Sequence, residues 1–291
     1  MQPRWNPPKP PRVSGHGEGG VDLVMSVEAV AREAATLGAR RPDDAALRAL
    51  AGDAPLLSLR ALDAGYGRMQ ILHGLDLHVA AGQSLCLIGP NGAGKSTVLH
   101  SIYGFTRIIG GAIELDGRAI GGLTPEQKLR DAGIAYVMQD NSVFPRMSVE
   151  ENLLMGGYLL PGREAARAAA ADVLARYPRL SQRRRAAAGT LSGGERRLLE
   201  IARALIMRPR VLLVDEPSIG LEPRYIDAVF EILRELQRDQ GKTVVLVEQN
   251  AKKGLEFADL AYVLVSGQLA LAGPGDALLE DPDVGRLFLG G

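Results

Sequence analysis

Cysteine is nearly absent from this sequence of 291 residues: Cys86 is the only one, so no disulfide can form within the chain. A lone thiol fits a reducing compartment, and its place inside an apolar segment predicts packing in the core rather than reactivity. Long apolar runs are also missing, since none approaches the roughly 18 to 20 residues that cross a bilayer. The N-terminus lacks the apolar core of a signal peptide, and we therefore expect the chain to remain in the cytosol.

The sequence also lacks an excess of either charge, with 34 Lys and Arg residues against 34 Asp and Glu residues. Zero net charge removes the field that draws a protein to nucleic acid or to an anionic membrane surface. We accordingly interpret the basic run 183–185 as a solvated helix face and expect no nucleic-acid partner. At 291 residues the chain is long enough for one large α/β unit or two smaller domains, and its 46% hydrophobic content suits a globular core.

The first 55 residues differ from the rest in composition. Residues 1 to about 20 are crowded with proline and glycine, which predicts a tail that buries too little apolar surface to become ordered. From Val21 to about Leu50 the apolar residues recur at helical spacing with a break at Gly38, which predicts two short and weakly packed helices. We expect residues 1–55 to be a dispensable extension or the product of a misassigned start codon, with a docking arm as the alternative.

A glycine-rich loop follows the apolar segment 84–88 and precedes a helical pattern. The loop consists of Gly89, Pro90, Asn91, Gly92, Ala93, Gly94, Lys95, Ser96 and Thr97. Its glycines allow several backbone N–H groups to converge at the start of a helix, where the helix dipole favours an anion, so the loop predicts a polyphosphate site. In this Walker A pattern Lys95 reaches the β- and γ-phosphates of a polyphosphate ligand, and the Ser96 hydroxyl helps to hold Mg²⁺.

Two carboxylates follow a second apolar strand. The segment 211–214 reads as a strand buried on both faces, and Asp215 and Glu216 come directly after it. This spacing fits a Walker B segment, in which Asp215 orders the water shell of Mg²⁺ and Glu216 acts as general base on the attacking water. Acidic residues are otherwise common where a strand passes into a loop, so the interpretation depends on the accompanying Walker A pattern.

Three side chains outside these segments are candidates for contacts to the nucleotide. Tyr66 stands on a glycine turn, where its ring can stack on adenine for roughly 1 kcal/mol, with plain turn packing as the alternative. Gln139 follows the strand 134–138, at the end where open α/β sheets bind ligands. Gln249 follows the strand 243–247, where its amide can donate to the γ-phosphate or the attacking water, or else cap the next helix.

A second glycine-bearing helix start lies between the two Walker segments. It comprises Ser192, Gly193, Gly194 and Glu195, with Ser192 as N-cap and Glu195 three residues later as its capping-box partner. Thr124 and Ser148 begin two other predicted helices in the same way. The start at Ser192 predicts another anion site, although the four residues alone would indicate only a helix cap.

Together these segments resemble the nucleotide-binding subunit of ABC transporters, because six of its markers occur in the family's order. The markers are Tyr66, the Walker A loop, Gln139, the segment 192–195, Asp215-Glu216 and the loop 218–221. The stretches 149–157, 220–223, 246–251 and 288–291 look most like the F-type ATP-binding protein of branched-chain amino acid importers. A urea or amide importer is the near alternative, and a soluble ABC ATPase or a non-hydrolytic regulatory P-loop module is the more distant one.

The resemblance implies an α/β fold of the P-loop NTPase class. We expect a RecA-like core, an antiparallel β-subdomain and a helical subdomain at about 145–208, all within a cassette spanning 56–291. ATP and Mg²⁺ are the implied cofactors, with Ser96, Gln139 and Asp215 at the metal. Two departures from the family pattern are Gln249, where a switch histidine is usual, and Glu222, where aspartate is usual.

The resemblance also implies partners. The helix start at Ser192 would cap the γ-phosphate of ATP bound to a second ABC ATP-binding subunit, either a copy or a paralogue, so that two subunits close head to tail. Hydrolysis at Glu216 would reopen them, and Gln139 would couple the nucleotide to integral membrane permease subunits served by a solute-binding protein. The chain would then lie on the cytoplasmic face of the membrane as a peripheral subunit.

Overall fold

The computed structural model describes residues 41–52, 54–139 and 142–289. The proline-rich tail and the first of the two predicted N-terminal helices lie outside the described residues. The described part contains ten strands: β1 (Leu57–Tyr66), β2 (Met69–Val79), β3 (Ser84–Ile88), β4 (Arg107–Leu115), β5 (Arg118–Ala119), β6 (Ile134–Val137), β7 (Val211–Asp215), β8 (Thr243–Val247), β9 (Leu260–Val265) and β10 (Gln268–Pro274).

The same residues contain eleven α-helices. They are α1 (Asp44–Ala51), α2 (Lys95–Tyr103), α3 (Pro125–Arg130), α4 (Val149–Gly156), α5 (Gly162–Arg176), α6 (Pro178–Gln182), α7 (Gly193–Leu205), α8 (Pro223–Arg238), α9 (Ala251–Phe257), α10 (Gly275–Leu279) and α11 (Pro282–Phe288). No helix in this part of the chain is both long and apolar enough to cross a membrane.

A four-stranded antiparallel sheet has the order β2-β1-β4-β5. Its β1–β2 hairpin closes over the two residues Gly67 and Arg68, because Tyr66 pairs with Met69. Tyr66 is therefore the last residue of β1 beside the turn, whereas the sequence pattern placed it on the turn itself. This sheet is the antiparallel β-subdomain that the resemblance implies.

A six-stranded sheet with the order β10-β9-β3-β8-β7-β6 forms the core. Strands β6 to β9 and β3 are paired in parallel, and β10 is an antiparallel edge. Every residue of β3, β7, β8 and β9 is buried. The residues of these strands divide between two core clusters, one shared with α2 and the antiparallel sheet and the other with the later helices. The carboxyl ends of the parallel strands meet at one edge, and this edge carries the candidate site.

Helices α4 to α7 lie in the chain between β6 and β7. The capping boxes predicted at Thr124, Ser148 and Ser192 are confirmed, since in each case the cap hydroxyl accepts from the third helical N–H and the Gln or Glu side chain returns the bond. The long α5 begins after the break predicted at Pro161. Cap chemistry is local, which is why the sequence locates these helix starts so closely.

The second predicted N-terminal helix is present as α1, but the expectation that it packs weakly is wrong. Leu47 and Ala51 are buried in the same core cluster as β1 and β2. Asp44 accepts a hydrogen bond from His78 Nε2 at 2.7 Å, and His78 is itself fully buried. Helix α1 therefore covers part of the antiparallel sheet.

Candidate functional site

The glycine loop passes from β3 into α2 with a conformation that requires its glycines. Gly89 has φ 148°, and a Cβ there would lie 2.2 Å from the carbonyl oxygen of Leu264. Gly94 precedes α2 with φ 97°, a left-handed conformation that disfavours other residues. Because the first N–H groups of a helix have no intrahelical acceptor, those of α2 are available to an anion over the loop.

Lys95 is held over this loop. Its Nζ donates to the carbonyl oxygens of Gly89 and Pro90 at 2.9 and 3.2 Å, and the residue is buried. Burial lowers the pKa of Lys95, while the nearby Glu216 and Asp215 carboxylates oppose that change. The side chain lies where it can exchange two neutral carbonyls for phosphate oxygens, which are stronger acceptors.

Ser96 and Asp215 lie together although 119 positions separate them in the sequence. Ser96 Oγ donates to Asp215 Oδ1 at 3.0 Å, and the Tyr136 hydroxyl donates to Asp215 Oδ2 at 2.8 Å. Burial is the main cause of a pKa of Tyr136 well above its usual value, so the phenol remains a donor. The sequence analysis missed this role of Tyr136; the signal available was a hydroxyl on the strand that leads to Gln139.

Glu216 adopts a left-handed backbone conformation directly after β7, with φ 43°. Its N–H donates to Val247 O at 2.9 Å, and its Oε2 accepts from Gln139 Nε2 at 3.0 Å. Desolvation raises the pKa of Glu216, with Lys95 acting in the opposite direction. A more basic carboxylate at the edge of the sheet is what a general base requires.

The donor set at Ser96 and Asp215 suits a hard cation that keeps most of its waters. Among the described residues, no group of three or more His, Cys, Asp or Glu side chains could form a metal site. One hydroxyl and one carboxylate are oxygen donors of the kind Mg²⁺ uses beside phosphates, so the residues fit this ion. The structure brings Gln139 to Glu216, and its predicted place at the metal stays a prediction.

Tyr66 lies at the rim of the site with 41% of its surface exposed. Its hydroxyl forms a hydrogen bond with His100 Nδ1, and the two rings meet edge to face. His100 also packs against Phe105 and Tyr136. The exposed part of Tyr66 leaves its ring available to a flat ligand.

The helix start at Ser192 forms its capping box within α7, and none of the described hydrogen bonds joins residues 192–195 to the glycine loop. Gly193 is exposed, and Gly194 lies against the Tyr225 ring, where a Cβ would come within 2.5 Å of the ring carbon Cδ1. The structure therefore presents Ser192 and Gly193 as a separate surface rather than as part of the site around Lys95.

Gln249 is exposed beyond β8, and Asn250 rather than Gln249 caps α9 by accepting from the N–H of Lys253. The buried Glu248 shapes this turn, because its Oε1 accepts from Ser218 Oγ at 2.6 Å and from the N–H groups of Gln249 and Asn250 at 3.0 Å. Burial raises the pKa of Glu248. Sequence reasoning missed this carboxylate, although an acidic residue adjoining a buried strand was a visible signal.

Comparisons with known proteins agree with this geometry. The ABC transporter family profile matches residues 72–219. The chain is 43% identical over 236 residues to the high-affinity branched-chain amino acid transport ATP-binding protein BraG of Pseudomonas aeruginosa, covering 81% of this chain and 100% of that protein. It is 38% identical to the probable branched-chain amino acid transport ATP-binding protein LivF of Archaeoglobus fulgidus, covering 79% and 96% of the two chains.

A solved nucleotide-free ATP-binding cassette from an ABC transporter superposes with a TM-score of 0.72 at 28% identity, covering 80% of this chain and 98% of that one. The ADP conformation of an ATP-binding cassette of an ABC transporter gives a TM-score of 0.73 at 28% identity, covering 81% and 99%. The predicted fold class is thereby confirmed, as is the expectation of an ATP-binding enzyme that hydrolyses ATP. The chain belongs to the ABC transporter family.

Proposed function

We propose that this chain is the ATP-hydrolysing subunit of an importer for branched-chain amino acids. The observation that carries the catalytic part is the pairing of Ser96 with Asp215 beside the Glu216–Gln139 hydrogen bond at one sheet edge. The relatives BraG and LivF are both named as branched-chain amino acid transport ATP-binding proteins, which supports this class of solute. The family supports permease partners and a place at the membrane, and we propose the cytoplasmic face.

Nucleotide binding uses the glycine loop and the two residues that follow it. The free N–H groups at the start of α2 and the Lys95 ammonium bind the phosphates, and Tyr66 stacks on the adenine. Ser96 and Asp215 are the residues that would hold Mg²⁺. The ion, when bound, neutralises charge on the phosphate oxygens.

Glu216 takes a proton from the attacking water, for which its raised pKa and its hydrogen bond from Gln139 prepare it. In the sheet order β8 lies between β3 and β7, so the turn after β8 stands between the glycine loop and Asp215. This order supports a role for the exposed Gln249 amide as a donor to the γ-phosphate or the water.

A second ATP-binding subunit completes the site. The exposed start of α7 at Ser192 offers N–H groups at a helix terminus, but it forms no hydrogen bond to its own glycine loop in the described residues. We propose that Ser192, Gly193, Gly194 and Glu195 cap the γ-phosphate of ATP held by the partner. ATP then closes two subunits head to tail, and hydrolysis separates them.

The permease subunits dock beside Gln139 on the helical part of the chain. Four large apolar side chains within 20 residues of Gln139 are exposed: Met138, Phe144, Met155 and Tyr158. We take these exposed apolar side chains as the contact with the permease subunits, since exposed apolar groups can mark a protein interaction site. Since Gln139 contacts Glu216, movement at this surface reaches the general base directly.

Replacement of Glu216 tests the catalytic proposal. Glu216→Gln keeps the shape of the side chain but cannot accept a proton, so we expect turnover to be abolished with ATP affinity retained and an ATP-bound dimer to accumulate. Glu231→Gln, on the exposed side of α8, is the matched control. Hydrolysis of the Glu216→Gln protein near the wild-type rate would remove Glu216 from the role of base.

Reconstitution with the neighbouring permease subunits tests the solute. ATP-driven uptake of leucine, isoleucine or valine into vesicles is the expected result, and uptake of urea or a short amide instead would replace the proposed solute class. ATP hydrolysis that is unaffected by any permease would contradict a transport role.

A further inference from the structure

A buried ion pair on α7 contacts the backbone of both segments that carry reacting groups. Arg197 and Glu200 follow the helix start at Ser192 by one to two turns, and their side chains are 6% and 3% exposed. Arg197 Nη1 donates to Glu200 Oε2 at 2.8 Å. Charged side chains are rarely buried this deeply on a helix face without a specific set of partners.

The guanidinium of Arg197 has three further acceptors, and all are main-chain carbonyl oxygens at the site. Nη1 donates to Met138 O at 2.9 Å, Nη2 to Glu216 O at 3.0 Å and Nε to Pro217 O at 3.1 Å. Met138 directly precedes Gln139. One planar group therefore fixes the backbone on both sides of the hydrogen bond between Gln139 and Glu216.

The backbone conformation of Glu216 explains why the hydrogen bond from Arg197 to its carbonyl oxygen matters. A non-glycine residue with φ 43° is strained and persists only where its surroundings fix it. The N–H of Glu216 donates to Val247 O, and its carbonyl accepts from Arg197. The two peptide groups that flank the Glu216 side chain are thus both fixed, which sets the direction of its carboxylate.

Glu200 extends the same contact to the segment after Gln139. Its Oε1 accepts from the N–H of Ser142 at 2.8 Å, and Arg203 on α7 donates to the carbonyl and hydroxyl oxygens of Ser142 at 2.6 Å. Helix α7 consequently holds the chain at Met138 and again at Ser142. The helix that begins at Ser192 is joined through side chains to both the Gln139 segment and Glu216.

Stability alone does not account for this ion pair. Burial of two charges carries a desolvation cost, and apolar residues of similar volume often stabilise a core equally well. The cost is visible at Glu200, where desolvation raises the pKa despite the adjoining Arg197. What apolar residues could not supply is the set of hydrogen bonds to the carbonyls of Met138, Glu216 and Pro217.

We infer that Arg197 is a positioning residue, which holds Glu216 in its left-handed conformation and joins the helix that begins at Ser192 to the backbone of the general base. The inference rests on the proposed function, in which Ser192 contacts nucleotide on a partner subunit. If α7 shifts when Ser192 makes that contact, the rigid planar guanidinium of Arg197 transmits the shift to the backbone of Glu216.

Arg197→Lys tests the inference, because lysine keeps the charge but cannot direct four donors in one plane. We expect kcat at saturating ATP to fall about 10- to 100-fold, the loss that follows from a misplacement of about 1 Å. The KM for ATP should change less than about twofold, since binding groups are untouched. Arg208→Lys is the matched control, as it alters an exposed Arg–carboxylate pair with Asp172 on the same helical part.

A second measurement separates positioning from a general structural role. In the Glu216→Gln background, Arg197→Lys should still form the ATP-bound dimer, because the change acts on the hydrolysis step. Parallel loss of dimer, ATP affinity and thermal stability would overturn the inference, as would wild-type kcat in a well-folded Arg197→Lys protein.

If Arg197→Lys does not fold, Glu200→Gln is measured in its place. A reduced kcat with ATP affinity unchanged supports the inference, and an unchanged kcat overturns it. The two proposals fail separately: absence of uptake by wild-type complexes that still hydrolyse ATP contradicts the importer function, whereas an unaffected Arg197→Lys ATPase contradicts only the positioning role.

Discussion

Gln249 and Asn250 carry adjacent amide side chains after β8, and the structure distinguishes their roles. Asn250 accepts from the N–H of Lys253 and caps α9, whereas the exposed Gln249 is not the cap. The capping alternative for Gln249 is therefore removed, and the role of a donor at the γ-phosphate stays a prediction. Unlike histidine, a glutamine amide does not titrate between pH 5 and 8, so this site would lack a proton switch.

Gln249→Ala should lower the hydrolysis rate about tenfold or more, the effect of losing a donor worth roughly 1.5 to 3 kcal/mol to a charged group. ATP affinity and thermal unfolding should change little. Asn250→Ala is the control, and we expect it to lower thermal stability rather than the hydrolysis rate, because loss of the helix cap costs about 1 kcal/mol of stability. Full activity of a well-folded Gln249→Ala protein would exclude Gln249 from the site.

Gln249→His introduces a ring N–H donor that titrates, and histidine is the residue that is usual at this position in the family. We expect substantial activity with a new dependence on pH near the histidine pKa, about 6.5 when unperturbed. The hydrolysis rates of the wild type and of this variant across pH 5 to 8 decide the matter. Parallel profiles for the two proteins would mean that residue 249 is remote from the reacting groups.

Lys128 on α3 is a buried amine with one hydrogen bond, donated to Ser101 O at 3.3 Å near the end of α2. Burial lowers the pKa of Lys128 to about 8 from its usual 10.5. Between these values the unfolded chain binds a proton that the folded chain does not, so the free energy of unfolding rises with pH in that window.

Lys128→Met should abolish this rise, which amounts to at most about 1.4 kcal/mol per pH unit. Denaturant unfolding at several values between pH 7.5 and 10.5 measures it. Lys252→Met, at an exposed position of α9, should leave the rise in place. Identical curves for the wild type and Lys128→Met would show that the amine is solvated in the folded protein.

At the scale of elements, α1 belongs with the antiparallel sheet rather than with a dispensable tail. Its N-cap Asp43 accepts from the N–H of Ala46, and Asp44 bonds to His78, whose Nδ1 contacts Ser58 Oγ at 2.9 Å. Leu47 is fully buried against the sheet. The composition of the preceding segment still predicts that residues 1–40 are dispensable.

Two truncations separate these parts of the N-terminal region. Removal of residues 1–40 should leave ATP binding and thermal unfolding unchanged. Removal of residues 1–52 should lower the free energy of unfolding by about 2 kcal/mol or more, since a buried leucine alone contributes roughly that amount. Equal stability of the two truncated proteins would show that α1 contributes nothing to the fold.

At the scale of the whole molecule, Gln139 links the site to the proposed permease contact, since its amide contacts Glu216 and the adjoining Met138 is exposed. Tyr158 is 69% exposed on the helical part of the chain, which is unusual for so large an aromatic ring. A tyrosine in such a position is a common centre of a protein interface. A pair of ATP-binding subunits would then hydrolyse ATP without permeases, and only the complex with permeases would transport.

Tyr158→Ser should leave hydrolysis by the ATP-binding subunits without permeases unchanged and lower ATP-driven uptake by the assembled transporter about tenfold, equivalent to about 1.4 kcal/mol of interface energy. Ile109→Ser, at an exposed position of β4, is the control for a lost apolar side chain. Uptake by Tyr158→Ser complexes at the wild-type rate would place the permease contact elsewhere.

The sequence alone determined the features that depend on neighbouring residues. Helix starts at Thr124, Ser148 and Ser192 follow from side chains that bond within one turn, and the glycine loop follows from backbone conformations that glycine permits. Buried strands were visible as apolar runs. The order of the markers further indicated the family, and with it the two-sheet architecture that composition could not specify.

Only the tertiary structure decided which distant residues meet. The contact of Ser96 with Asp215 depends on a sheet order in which β8 lies between β3 and β7. The local periodicity of the sequence predicts strands but does not specify their order in the sheet. In the sequence Arg197 is a basic residue on a predicted helix with no visible partner. Its acceptors, the carbonyl oxygens of Met138 and Glu216, lie on other segments that only the fold brings to it. The same holds for α1, whose short pattern gave no sign of the surface it covers, because burial is a property of the partner face as much as of the helix.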